Sequence, residues 1–301
     1  MRESIEPAED GVKLTSAVKP NQLDSMHYSF DFAQQVHYPA NPRQPGPIYF
    51  LVPRKCGLFG ICCEGVGQQV NFLIDEGSCI GKGSNAVISY LHHFFEAYGL
   101  GEDHVDLHCD NCSGQNKNRY VLWYFCWRVL NGYHKSVSVH FMVSGHTKFA
   151  PDGGFGLVKR RFTRTEVNCL EDIKNIVESS SKSNIAQIVG WEDQRQLVTM
   201  YDWQRFFGNN YRPLEGMKAV HHFRFSQDHP GVVFYKTRVH DDEKSANVLR
   251  NRDGILPVIG DEYEAPIPGL SLARQKYLYE KIREFCLTDE SKDKTCPAPI
   301  E

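Results

Sequence analysis

Between residues 27 and 36 apolar and polar positions alternate, with Tyr28, Phe30 and Phe32 set against Ser29, Asp31 and Ala33. Period two predicts a strand with one buried face. Pro39–Pro47 then carries four prolines in nine residues, which defeats helix and ladder alike and predicts a loop. Ile48–Val52 and Cys56–Cys63 read as one long or bulged strand or as hairpin arms, and Gln69–Ile74 as a further strand. Over Ser84–Tyr98 the spacing becomes helical, with Val87, Ile88, Leu91, Phe94 and Phe95 on one side. Ser84 is placed to cap that helix and Gly99 to end it. Val105–Cys109 reads as a short buried strand, and Asn118–Leu130 as an aromatic-rich helix stopped by Asn131-Gly132. Ser136–Val143 reads as a fifth strand and Phe155–Phe162 as the start of a third helix.

Downstream, the pattern predicts a helix over Leu170–Ser180, a Ser/Lys-rich turn and an amphipathic segment at Tyr201–Phe207. Strands are expected at His221–Phe225 and Gly231–Lys236, a polar excursion over His240–Glu264, and a last helix over Ser271–Cys286 capped by Ser271. Residues 1–25 are expected to be a flexible lead, 26–180 the core, 181–287 an extension and 288–301 a disordered tail. The order β-β-β-α-β-α-β-α implies a mixed α/β sheet with helices on both faces. It is the order of a ribonuclease H-like fold: a mixed five-stranded sheet, here followed by a C-terminal α+β extension.

Bulk properties narrow this picture. A chain of 301 residues with 41% apolar content can bury a large core. It has no apolar run of about 18 residues, so no membrane span is expected. The first ten residues lack the apolar stretch of a signal peptide, so a nuclear or cytoplasmic rather than secreted chain is expected. Ten cysteines scattered through predicted elements are expected to be reduced thiols. A net charge of -3 argues against a protein that coats nucleic acid indiscriminately, although Lys159–Arg164 places four cations in six residues.

Three aspartates carry the candidate chemistry. Asp31, Asp110 and Asp152 each fall at the end of a predicted strand or just beyond one. Carboxylates gathered there can hold hard divalent cations, Mg²⁺ or Mn²⁺, over a phosphodiester. Each also has a plainer reading: a solvent-facing strand residue for Asp31, a turn aspartate bonded to backbone amides for Asp110, a helix-start carboxylate for Asp152. Glu166 and Glu171 are alternatives for the third carboxylate. After Asp110 the loop holds Asn111, Gln115, Asn116 and Lys117, side chains suited to ordering metal-bound water or a phosphate. His146, Lys148, Lys159, Arg160, Arg161 and Arg164 are further candidates for phosphate contact. Cys109 and Cys112 have zinc-like spacing but no second pair, and Trp123, Tyr124, Phe125 and Trp127 read as core rather than as base-stacking groups.

The block Leu107–Asn118, followed by Tyr120–Tyr124, together with Gly145–Asp152 and His221–Phe225, closely resembles a family of multi-copy animal proteins. That family looks like the ribonuclease H-like core of a DDE/DDD transposase, and the resemblance spans roughly residues 27 to 290. It implies a transposase-like nuclease core acting on DNA, with two Mg²⁺ or Mn²⁺ ions held by Asp31, Asp110 and Asp152. It also implies dimeric or higher assembly. An upstream DNA-binding segment is expected to be missing, which leaves open a domesticated, non-catalytic module that binds nucleic acid or protein.

Overall fold

The computed structural model describes residues 24–43, 46–143, 145, 148–192, 195–208, 210–250 and 258–300. The expected flexible lead lies almost wholly outside them. The predicted order appears in the first half: β1 (Ser25–Tyr38), β2 (Arg54–Cys63), β3 (Gln68–Asp75), α1 (Ser84–Ala97), β4 (His104–Cys109), α2 (Arg119–Leu130), β5 (Ser136–Phe141) and α3 (Ala150–Phe162). The second half holds α4 (Leu170–Ser180), β6 (Asn184–Val189), β7 (Trp191–Glu192), β8 (Arg195–Gln196), α5 (Trp203–Phe207), β9 (His222–Ser226), β10 (Val232–Lys236), β11 (Lys244–Asn247), α6 (Leu272–Tyr277) and α7 (Asp289–Thr295).

Nine strands, not five, form one mixed sheet in the order β11-β10-β9-β5-β4-β1-β2-β3-β6. The pairs β1–β4, β4–β5 and β3–β6 are parallel and the others antiparallel. The sheet grows past the five expected strands because β6 adds to one edge and β9–β11 to the other. β6 is hard to see in the sequence: it follows a Ser/Lys-rich turn and reads Asn184-Ile-Ala-Gln-Ile-Val189, where the buried Asn184 and the half-buried Gln187 interrupt the apolar run.

One face of the sheet buries Tyr28, Phe30, Leu107, Val139 and Phe223 under α1, α2 and α5. Trp123, Tyr124, Phe125 and Trp127 all lie in this core, as their helical spacing predicts. The other face is covered only in part. α3 and α4 lie over β2 and β3, burying Leu58, Leu73, Val158, Ile173 and Ile176. The same face of β4, β5 and β9 carries alternate polar residues and remains partly exposed.

Other expectations are corrected. Gly46–Phe50 forms a 3₁₀ turn rather than a strand, as the prolines on either side favour. α1 is capped by Gly83, with Ser84 already inside the helix. α3 begins at Ala150, so Asp152 sits within its first turn rather than before it. The last long helix is broken: α6 loosens into a wide turn over Leu278–Ile282 and tightens over Arg283–Phe285. Residues expected to be a disordered tail form α7, whose Thr288 hydroxyl accepts from the Ser291 amide.

A buried ionic cluster explains why α7 is held. Asp75, at the end of β3, accepts two bonds from Arg54, at 2.8 and 2.6 Å. The Tyr38 hydroxyl and the Gly77 amide also donate to it. Arg54 then donates to the Thr295 carbonyl at 2.8 Å, tying α7 to the first three strands. Removing one partner of such a pair strands the other charge in a poor solvent. Asp75→Ala is therefore expected to lower unfolding stability by about 3–5 kcal/mol, measured by urea denaturation; a loss within experimental error would show that the cluster is dispensable. Among the described residues no helix is long and apolar enough to cross a membrane.

Candidate functional site

β1 has β4 beside it only as far as the pair Phe30–Cys109, then runs on to Tyr38 with β2 alone. Asp31 and Asp110 are the next residue on each chain. Asp31 thus lies in mid-strand, not at a strand's carboxyl end, but it sits where the parallel ladder ends. That step in the sheet brings the two carboxylates side by side.

Glycine and a buried polar row dock the third aspartate. Asp31 is in register with Gly60 of β2. An added Cβ at Gly60 would lie 2.6 Å from the Phe155 ring of α3 and 2.8 Å from Gln69 Nε2. One at Gly154 would meet Gln69 Oε1 at 2.3 Å. Both close approaches need a residue without a side chain. Gln69 donates to Asn71 at 2.8 Å, and Asn184 donates to the Gly154 carbonyl at 3.3 Å. The amino end of α3, carrying Asp152, is thereby seated over β2 and β3.

One oxygen of each carboxylate is already held. Asp31 Oδ1 accepts from the Phe32 amide at 2.7 Å. Asp110 Oδ1 accepts from the Cys112 amide at 3.1 Å and from Asn116 Nδ2 at 2.6 Å. Asp152 Oδ2 accepts from the Phe149 amide at 3.1 Å. The plainer readings of Asp110 and Asp152 are therefore also true: each organises a turn or helix start. The loop after Asp110 is wound tightly, with the Cys112 carbonyl accepting from the amides of Gln115, Asn116 and Lys117. Asn118 ends the loop by accepting from the Tyr120 and Val121 amides at the start of α2.

Electrostatics joins the three. The Asp31 carboxyl is raised to about 7, first by burial, then by the Asp110 carboxylate and, more weakly, by Asp152; the Phe32 amide acts in the opposite direction. A carboxyl whose ionisation is opposed by burial and by neighbouring carboxylates creates a demand for a cation. The three carboxylates and the side-chain amides of Asn111 and Asn116 offer oxygen donors at this edge, as suits Mg²⁺ or Mn²⁺. Asn111 Oδ1 and Asn116 Oδ1 are buried without a hydrogen-bond partner, as is Ser29 Oγ two residues before Asp31. Such orphaned oxygens suit a site completed by water or an ion. The residues therefore fit a hard divalent ion that keeps waters or substrate oxygens in its shell. Among the described residues, no group of three or more His, Cys, Asp or Glu side chains closes around one metal position.

The other expected residues divide. Lys117 turns inward: it is buried, donates to the Lys218 carbonyl at 2.8 Å and lies over the Phe141 ring. Gln115 is half-buried. Lys148, Lys159, Arg160, Arg161 and Arg164 are all exposed. Lys159–Arg161 follow Asp152 along α3 by roughly 10–13 Å at 1.5 Å per residue. Glu171 points elsewhere, 3.8 Å from Lys294. His146 lies outside the described residues. Cys109 is buried in the core while Cys112 is half-buried, as a strand end followed by a turn requires.

Two features escaped the sequence reading. Lys82 is exposed and lies over the ring of Phe32, the residue after Asp31 in β1, 5.3 Å from its centre. Its setting, Gly81-Lys82-Gly83-Ser84, leads directly into α1, a signal that the helix periodicity had overshadowed. The second is a row of histidines across the open part of the same sheet face: His27, His108, His140 and His222, one from each of β1, β4, β5 and β9. Their separation in sequence concealed it.

An α/β protein with carboxylates grouped where a parallel ladder ends is the class that fold and site define. The chain belongs to the family described as "Domain of unknown function (DUF7869)", whose sequence profile matches residues 53–242, more than half of its length. No curated protein matches the chain significantly.

Because the folded Asp31 carboxyl lies above its ordinary value of 3.8, its ionisation opposes folding. Its stabilising contribution is complete below about pH 4 and is lost as pH rises through about 7. Asp31→Asn is expected to flatten this part of the stability profile and to raise the metal-free melting temperature at pH 8 by a few degrees. A parallel fall in stability with pH in both proteins would remove Asp31 as the cause.

Proposed function

We propose that this chain is a transposase-derived, metal-dependent core that cleaves DNA phosphodiesters, with Asp31, Asp110 and Asp152 as its carboxylates. The observation that carries the reading is the convergence of the three: β1 and β4 place the first two side by side, and α3 brings the third close enough to raise Asp31. The central strands run β3-β2-β1-β4-β5 with β2 antiparallel to β1, which supports the ribonuclease H-like reading. Bound between these carboxylates, one or two Mg²⁺ or Mn²⁺ ions would supply activation of the attacking hydroxyl or water and stabilisation of the leaving oxygen.

The chain's own residues would do the rest. Asp110 keeps one oxygen tied to Asn116 and the Cys112 amide, so its orientation is fixed before any ligand arrives. Asp31, raised to about 7, would exchange its proton for a bound cation near neutral pH. Lys82, Lys148, Lys159, Arg160 and Arg161 are exposed cations around this edge and along α3, suited to phosphates of a duplex. Nuclear residence and self-association would accompany such a role.

A second reading has its own support: each of the three carboxylates already has one oxygen bonded to a backbone amide. It is a domesticated module that binds DNA or protein without cutting. Supercoiled DNA incubated with the chain and Mn²⁺ separates the two. The active reading expects nicking that falls at least about a hundredfold in Asp110→Ala with the fold intact by circular dichroism. Salt-sensitive binding without nicking in either protein would favour the second reading, and equal nicking by both would refute the assigned site.

A further inference from the structure

Across the uncovered part of the sheet, His140 of β5 and His222 of β9 are direct register partners, and their Nδ1 atoms face each other at 2.9 Å. The other nitrogen of His140, Nε2, lies 3.8 Å from the Asp106 carboxylate on β4. Two neutral imidazoles at this distance share at most one proton between nitrogens that each also suit a metal. A carboxylate on the far side of one histidine favours a proton on the nitrogen that faces it and leaves the opposite nitrogen, here the one facing His222, free to act as a ligand, as in many metal-bound histidines. The pair opens onto a cavity of about 410 Å³, lined also by His108, Ser138, Phe234 and Lys236.

We propose that His140 and His222 are the two protein ligands of a second metal site, selective for an imidazole-preferring divalent ion such as Zn²⁺, with Asp106 as the residue that orients His140. Nitrogens each about 2.0–2.1 Å from a tetrahedral ion stand roughly 3.4 Å apart. The two nitrogens need to part by about half an ångström and both rings to turn until their lone pairs meet at one point, movements that side-chain rotation on neighbouring strands supplies. Two protein ligands leave the remaining positions to water or to an oxygen of a molecule in the cavity. Nitrogen donors set this site apart from the oxygen-lined aspartate edge, and borderline ions select the former while Mg²⁺ selects the latter.

The neighbouring pair, His27 Nε2 and His108 Nδ1 at 2.5 Å with Glu64 3.5 Å from the far side of His27, repeats the pattern. His108 is two residues from Asp110, however, so only the His140–His222 pair can be altered without disturbing the aspartates.

Isothermal titration of Zn²⁺ into the full, EDTA-stripped chain tests the proposal. One equivalent is expected to bind at micromolar concentration. His140→Ala and His222→Ala should each weaken binding by at least tenfold, Asp106→Asn by about tenfold or more, and Asp110→Asn should leave it unchanged. If His222→Ala fails to fold, as judged by its metal-free melting curve, His222→Gln takes its place. Unchanged affinity in the two histidine variants, or no binding by the wild type, would overturn the proposal. So would loss of binding in Asp110→Asn alone, which would locate the ion at the aspartates. Because Zn²⁺ is followed by heat and not by DNA cleavage, failure here leaves the nuclease reading untouched, and the converse also holds.

Discussion

Three carboxylates held at one edge repel one another, and much of the surrounding architecture serves to keep them there. β4 stops beside Phe30, which leaves Asp31 and Asp110 abreast at the step in the sheet. Gly60 gives Phe155 room to pack on β2, and Gln69, Asn71 and Asn184 form a buried polar row beneath the start of α3. Burial and the neighbouring carboxylates together raise Asp31. Such an arrangement opposes folding at neutral pH unless a cation or a proton relieves it. Sites that stabilise a charged ligand are commonly built at the expense of stability in its absence.

The remainder of the fold supplies rigidity. The aromatic core under α1 and α2 supports β1 and β4 from behind, with Tyr28 and Phe30 on the strand face opposite Asp31. The Arg54–Asp75 pair ties β2 and β3 to the last helix. The edge that carries the aspartates is thus backed by the packed core, while the histidine face beside it is partly open. These two surfaces are adjacent but chemically distinct: one offers oxygen donors, the other nitrogen donors.

Local signals made the first half of the fold legible. Alternation predicts β1, the change to helical spacing predicts α1, and the aromatic-rich run ended by Asn131-Gly132 predicts α2, whose cap at Asn118 the structure adds. Asp110 was legible for the same reason, because it ends an apolar strand and enters a polar loop. What could not be read depends on pairing. No local pattern in 184–189 or 244–247 tells that these segments extend the same sheet as β1, and register alone aligns the four histidines. Lys117 looked like a phosphate contact in the sequence because its loop is polar; the tight turn around the Cys112 carbonyl instead drives its side chain inward toward Lys218. The tail looks disordered in the sequence because α7 is polar along most of its length, and its anchors are distant: Arg54, some 240 residues away, and the Asn168 carbonyl.

Counting the Mn²⁺ ions bound by the purified chain tests the central claim most directly. The loss of the free-ion electron paramagnetic resonance signal would be followed as protein is added, for the wild type and for Asp110→Asn. If the carboxylate edge is a metal site, the wild type sequesters one or two ions and the variant, equally folded, sequesters at least tenfold less at the same free concentration. Equal sequestration by the two proteins would contradict the account.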